Sequence, residues 1–239
     1  MLKESQIVLS KTDLRGEDYS NRKLMQFSAV GCRFEACDFS GVDITDASFG
    51  AGQLQSEYYE CNFNDARMHM SAGGYARFVR RSFQDVDIRH WTCFAVELID
   101  CAFSGKLQDV IFNGSVPQDR QRYLNRRVNE FTGNDFFAAE FVNVTFRTGI
   151  DLSRQKLPPG SQYIYLPDAA RALMRAQSFL SHWQDNTEWR GLALLIIDVL
   201  RKEAEKGQSE MFLNIDDYAT QRSFPPQVVE KVFELLRAG

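Results

Sequence analysis

The stretch Cys32-Arg33-Phe34-Glu35-Ala36-Cys37-Asp38-Phe39-Ser40-Gly41-Val42-Asp43-Ile44 repeats one pattern every five residues. A large apolar side chain stands at Phe34, Phe39 and Ile44, and a small one stands two places earlier, at Cys32, Cys37 and Val42. The count continues outward through Phe49 and Leu54, then restarts at Phe63 and runs through Met68, Gly73, Phe78, Phe83, Ile88, Cys93, Leu98 and Phe103. It slips once, to Leu107 and Phe112, and resumes at Phe131, Phe136, Phe141 and Phe146. Of these 20 slots 18 hold a large apolar residue, and 12 of the 19 Phe in the chain fall there. Leu9, Leu14, Tyr19 and Leu24 keep the spacing more loosely.

Five matches neither the 3.6-residue period of a helix nor the two-residue period of a long strand. It suits a chain that turns a corner every five residues. Within each short extended side, residues two apart share a face, so the large and small residues point inward and the other three outward. Four sides close a square coil of about 20 residues, and coils stack at roughly 4.8 Å through backbone hydrogen bonds. The small residue is needed because four large ones already fill each layer at interior packing density. Contacts then run only between neighbouring coils, as in a solenoid.

The repeated unit, small–Asp/Asn–large apolar, reads Cys37-Asp38-Phe39, Val42-Asp43-Ile44, Cys61-Asn62-Phe63, Val86-Asp87-Ile88 and, with Thr in the middle, Val144-Thr145-Phe146. In this it resembles the pentapeptide-repeat family over about residues 9 to 152. The resemblance implies a mainly β fold, a right-handed quadrilateral β-helix; about 130 residues in register, at about 20 per coil, give roughly six or seven coils, a rod about 30 Å long at the stacking distance. The pattern departs from the motif in several places. Leu54 and Phe63 are one residue short of two repeats apart, with Tyr58 and Tyr59 competing for the slot. Gly73 and Cys93 under-fill the axis, and Arg81 and Trp91 occupy small slots. A bulge or local loop is therefore expected near 71–75 and 91–95. Residues 113–130 carry no fivefold signal and are expected to leave the coil, as a projecting loop, a surface helix or a mobile excursion.

Four of the five cysteines, Cys32, Cys37, Cys61 and Cys101, occupy small slots, and Cys93 an axial one, so they read as small buried hydrophobes. Their spacing matches no zinc motif. His69, His90 and His182 are far apart in sequence, and the first two should point outward. No phosphate-cradling glycine loop, nucleophile elbow or His-Glu-x-x-His is present. The reading is therefore a non-enzyme, with no catalytic residue, metal or cofactor expected.

Net charge is −4, which disfavours a globally basic nucleic-acid binder. Between Arg33 and Arg67 there is no Lys or Arg, but there are seven acids: Glu35, Asp38, Asp43, Asp46, Glu57, Glu60 and Asp65. Stacked coils would align such acids on one face, either as a solvated wall or as a candidate partner-binding surface. The segment 113–130 has the opposite sign, with Arg120, Arg122, Tyr123, Arg126 and Arg127 as a candidate partner-binding loop.

Pro158-Pro159-Gly160 breaks the repeat, and the period turns helical. The expected division is a β-helix over 1–160 and an α-helical domain or cap over 161–239. Helices are expected over about 167–183, with Pro167 in the first turn, and over 187–206, capped by Thr187 and stopped by Gly207. A third should start at Ser223. The run Leu192–Ile197 is apolar on all sides, which implies a buried helix. Trp183 and Trp189 read as core, and the helices could pair two copies into a homodimer. That run is far too short to span a bilayer, and Met1–Gln6 has no apolar core for a signal peptide, so a cytoplasmic protein away from membranes is expected.

The resemblance implies binding by a rigid surface and brings no catalytic residues with it. One class of the family resembles duplex DNA in width, rise and negative charge, occupies the DNA saddle of type II topoisomerases and protects gyrase from quinolones or toxins. Another class consists of general protein-interaction scaffolds. The expected partner is thus another protein, either DNA gyrase or topoisomerase IV met by a DNA mimic, or an unrelated protein met by a scaffold.

Overall fold

A computed structural model describes residues 5–71, 74–184, 187–219 and 224–238. It divides into two compact units, Met1–Val144 with Ser153–Pro158, and Thr145–Leu152 with Pro159–Gly239.

The first unit is a parallel β-solenoid of about five turns. Its four sides are four ladders. One pairs Ile7 with Phe27 and Phe27 with Ala47. The second runs Leu14, Phe34, Tyr58, Phe78, Leu98, Phe131. The third runs Asp18, Asp38, Asn62, Ser82, Ala102. The fourth runs Leu24, Ile44, Met68, Ile88, Leu107. Corners fall five residues apart on left-handed residues, Lys11, Gly16 and Asn21 in one coil and Gly31, Ala36 and Gly41 in the next.

The interior is two columns of rings. Tyr19, Phe39, Phe63, Phe83, Phe103 and Phe136 stack with centroids 4.6–4.9 Å apart, and Phe34, Tyr58 and Phe78 stack at 4.7 Å. The columns meet edge to face, as in Phe34–Phe39 and Phe78–Phe83. Phe49, Phe112, Phe131 and Phe141 are also buried; Phe146, buried too, belongs to the second unit. Small slots are filled by Cys32, Cys37, Val42, Ala47, Cys61, Ala66, Val96 and Cys101, all buried.

The turn count is lower than the sequence suggested because two insertions use residues without adding a coil. Phe34 pairs with Tyr58, four residues beyond the usual step of twenty. The extra chain lies between Phe49 and Ser56; Leu54 is 44% exposed rather than axial, and Tyr58 takes its slot. Leu98 pairs with Phe131 across the second insertion, which carries helix α1 (Gln118–Leu124). The slip before Leu107 is a bulge: Phe83 faces Phe103, but Val86 faces Gly105. Gly105 has φ +82°, and a Cβ there would lie 2.4 Å from the Val86 carbonyl oxygen.

No loop opens at 91–95. Thr92 and Cys93 pair with Ile111 and Phe112, and Trp91 is buried edge-on against Phe78. Arg81 sits in its small slot at 3% exposure, donating to the Cys61 and Val79 carbonyls. Gly73, with the part of the expected 71–75 bulge that it carries, lies outside the described residues.

The second unit packs α2 (Ala169–Ser181), α3 (Thr187–Glu205), α4 (Ile215–Ala219) and α5 (Pro226–Arg237) with an antiparallel pair of strands, Tyr163–Leu166 and Met211–Asn214. Asp168, not Pro167, opens α2, its carboxylate accepting from the Arg171 N–H at 3.0 Å. Helix α3 is not enclosed: Ala193, Ile196, Ile197 and Leu200 face the core, but Leu195 and Val199 are 50% and 49% exposed. Trp183 and Trp189 are half-buried against that core. Ser223 and the Thr187 side chain lie outside the described residues.

The ring columns make a sharp contrast testable. Phe63→Ala opens a cavity between two stacked rings and should cost about 3–5 kcal/mol. Leu54→Ala, on the inserted segment, should stay within about 0.5 kcal/mol. Denaturant unfolding of both variants measures this; equal effects would mean that Leu54, not Tyr58, belongs to the core.

Candidate functional site: the groove under helix α1

The second insertion begins at Asn113 and forms α1 (Gln118–Leu124). Its two ends zip together, Val116 N–H to Arg127 O at 2.9 Å and Asn129 N–H to Gly114 O at 2.8 Å. The segment leaves the coil, but it returns to lie against the wall rather than projecting.

Its anchor is Glu97, whose side chain is 5% exposed. The Glu97 carboxylate receives Arg77 at 2.7 Å and Arg126 at 3.0 Å, and accepts the Glu130 backbone N–H at 3.1 Å. Arg77 also reaches Glu130 at 3.0 Å. Arg126 donates further to the Ala95 carbonyl at 3.0 Å and to the Gln55 side chain, so one arginine ties both insertions to the wall. Burial lowers the Arg126 pKa; for Arg77 burial pulls the same way, but Glu97 and Glu130 outweigh it and hold the value above the ordinary arginine range.

Between α1 and the coil lies an open groove of about 620 Å³. Arg120 places its guanidinium 5.0 Å from the Phe94 ring and 5.7 Å from the Tyr75 ring, and Arg122 lies 4.6 Å over Tyr123. Tyr123 meets Tyr75 edge to face at 6.5 Å. Backbone of the first insertion lines it at Gly50 and Gly52. Gly50 and Gly74 pass so closely that a Cβ on Gly74 would lie 1.8 Å from the Gly50 oxygen. His90 lines one end. Its ring lies 4.7 Å from His69, because one coil separates them, and its Nδ1 lies 3.4 Å from Asp109. Linear distance hid this pair. Of the remaining arginines, Arg127 is exposed and serves the insertion through its carbonyl.

The seven acids do not form a single-sign face. On the second ladder Arg33, Glu57, Arg77 and Glu97 alternate, with Arg33–Glu57 at 3.5 Å; Glu35 meets Arg15 at 3.6 Å. On the fourth, Lys23, Asp43, Arg67, Asp87 and Lys106 alternate. Asp38 caps its corner, accepting from Ser40 N–H at 2.9 Å; Asp46 accepts from Gln26 at 3.5 Å. Glu60 and Asp65 are exposed left-handed corners.

No family model and no curated protein matches the chain. Among solved structures it is similar to a trypsin-treated QnrB1, described as a plasmid-mediated fluoroquinolone resistance protein, at 12% identity over 64% of this chain and 78% of that one, TM-score 0.24. It is similar also to HetL, a pentapeptide repeat protein involved in heterocyst differentiation regulation in the cyanobacterium Nostoc, at 10% over 65% and 92%, TM-score 0.19. Full-length QnrB1 gives 12% over 62% and 80%, TM-score 0.17. At these scores the likeness carries no weight for function; the solenoid is read from the ladders of this chain.

All five cysteines are buried. Burial pushes the Cys61 and Cys101 thiols up to about 12, and Cys93 well above its ordinary value. Among the described residues no group of three or more His, Cys, Asp or Glu could hold a metal ion, and no helix is long and apolar enough to cross a membrane.

Two outcomes follow from this geometry. Glu97→Ala leaves Arg77 and Arg126 without their buried partner and should destabilise by about 3–5 kcal/mol. The same variant should speed tryptic cleavage after Arg120 to Arg127, read by mass spectrometry; an unchanged cleavage pattern would show that Glu97 does not hold the segment. The thiolate is the reactive form of cysteine, so a disulfide reagent at pH 8 should leave the folded protein unlabelled and label all five thiols in denaturant.

Proposed function

We propose that this chain is a non-enzymatic protein-binding solenoid that docks a protein partner in the α1 groove. The observation that carries the reading is Arg120 held on the Tyr75 and Phe94 rings, beside the Arg122–Tyr123 pair. Arginine and tyrosine dominate the energetics of protein interfaces. A guanidinium already parked on rings loses little further freedom when a partner arrives. Phe94 is 40% exposed and offers apolar area next to these charges.

A second reading is the DNA mimic that protects gyrase or topoisomerase IV, using Glu35, Asp38, Asp43, Asp46, Glu57, Glu60 and Asp65. The run of acids without a base from 34 to 66 favours it. The bases interleaved on the ladders weigh against it, because alternating signs cancel the long-range field that a mimic of duplex phosphates needs. The scaffold reading is therefore preferred.

A photo-crosslinking amino acid placed at Arg122, and separately at Glu57, distinguishes the two in cells. Under the scaffold reading the probe at Arg122 yields one discrete protein adduct, which Tyr123→Ala abolishes, and the probe at Glu57 yields none. In parallel, micromolar protein should leave gyrase supercoiling and its quinolone sensitivity unchanged. Adducts at Glu57 alone, or protection of gyrase, would replace the scaffold with the mimic.

A further inference from the structure

The helical unit carries a second concave site, independent of the coil. A groove of about 450 Å³ is walled by the strand Tyr163–Leu166, by Arg171 and Arg175 of α2, and by Leu236 and Arg237 of α5. Among the described residues the strand belongs to a two-stranded sheet, in which Met211–Asn214 covers one of its edges. Tyr163 faces Asn214 and Tyr165 faces Phe212 across the pair. The Ile215 N–H bonds the Gln162 carbonyl at 2.9 Å. In an antiparallel ladder alternate residues bond the partner strand. Ile164 and Leu166 therefore bond Met211–Asn214, and the N–H and C=O of Tyr165 point off the other edge. Ile164 and Leu166 also bury their side chains in the core, which fixes this strand in place.

Among the described residues that wall the groove, Arg171, Arg175 and Arg237 bring positive charge and Asp168 brings the one carboxylate, its side chain capping the Arg171 N–H, while Arg237 also donates to the Ser161 carbonyl. Arg171 and Arg175 are one helical turn apart, on the same side of α2, where like charges repel; Arg237 comes from another helix. An exposed strand edge recruits an extended chain through main-chain hydrogen bonds, and the pockets beside it read every second side chain. Guanidinium forks match carboxylates in two-pronged geometry. Strand edge and charge select the same occupant.

We propose that the Tyr163–Leu166 edge binds an extended acidic peptide segment of a partner protein, added as a third strand, with alternate carboxylates on Arg171, Arg175 and Arg237. Four strand residues span about 13 Å, room for two inward carboxylates. This site goes beyond the α1 groove and does not depend on it, since no residue is shared.

Fluorescence anisotropy of the full chain with a labelled (Val-Glu)₃ peptide tests it. Binding is expected, weakened about tenfold or more by Arg171→Gln with Arg175→Gln, both at exposed positions, and unchanged by Tyr123→Ala in the other groove. The same peptide with alternate backbone nitrogens methylated keeps every charge but cannot extend a sheet, and it should lose binding. A (Val-Gln)₃ peptide should not bind. Equal binding of the methylated peptide would reduce the site to bare charge attraction and overturn strand addition. Insensitivity to the double arginine variant, in protein whose circular dichroism is unchanged, would overturn the site itself; binding abolished by Tyr123→Ala would move the peptide to the α1 groove.

Discussion

Two lengths must agree for this coil to exist: the spacing of hydrogen-bonded strands and the spacing of stacked rings. Strands sit roughly 4.7–4.9 Å apart, and the rings of the longer column sit 4.6–4.9 Å apart. Because the two match, each new coil satisfies its backbone and its core in one step, and neither strains the other. The match also makes the axis intolerant. A residue added inside a coil with no bulge to absorb it would throw every later ring off its column. A single extra residue is taken up by a bulge, as opposite Gly105, and longer extra chain must leave through a wall and come back to the same slot. Phe103 and Phe136 show this: the insertion lies between them in sequence, yet their rings stack at 4.8 Å.

That constraint sorts what a sequence reader can see. The ring columns were legible because they are local: a five-residue count finds Phe34, Phe39, Phe63 and Phe83 without any knowledge of pairing. Leu54 was misread because the count alone cannot tell which residue an insertion removes; Tyr58, four residues on, restores the stack with Phe34 at 4.7 Å. Glu97 was invisible as an anchor because its burial depends on a segment that returns from residue 126. The strands Tyr163–Leu166 and Met211–Asn214 escaped notice because two helices separate them and each is only four residues long. The signal for His69 and His90 was present, one coil length apart, but it is read only once sequence distance is counted in coils.

Charge behaves in the same way. The acids between Arg33 and Arg67 form a run along the chain, but stacking sets Glu35, Asp43 and Glu57 against bases one coil away, whereas Asp38 stacks on Asp18. Glu57 lies between Arg33 and Arg77, and Asp43 between Lys23 and Arg67. Net charge over a stretch therefore overstates the field at a wall. Cross-strand pairs of opposite sign add a few tenths of a kcal/mol each to the ladder, so the same residues that look like a functional patch in one dimension are stabilising rungs in three.

Two ladders of alternating charge offer a partner little to distinguish one coil from the next. On the proposed reading, recognition falls to the places where the period fails. In this chain the two insertions meet at one such place. Gly50 and Gly74 let the backbones pass within less than a side chain's width, and Arg126 bonds Gln55 of the first insertion and Glu97 of the wall. The interruptions share one anchor, so their relative position is fixed by buried charge rather than by loop stiffness. A buried ion pair adds little net stability, because desolvation offsets its attraction. Its effect here is positional: the two terminal nitrogens of Arg126 meet Glu97, Gln55 and the Ala95 carbonyl, while its buried Nε has no partner among the described residues, and those contacts seat α1 against the wall. The aromatic and guanidinium groups of the groove inherit that order, which is what separates a seated groove from a loop that happens to be basic.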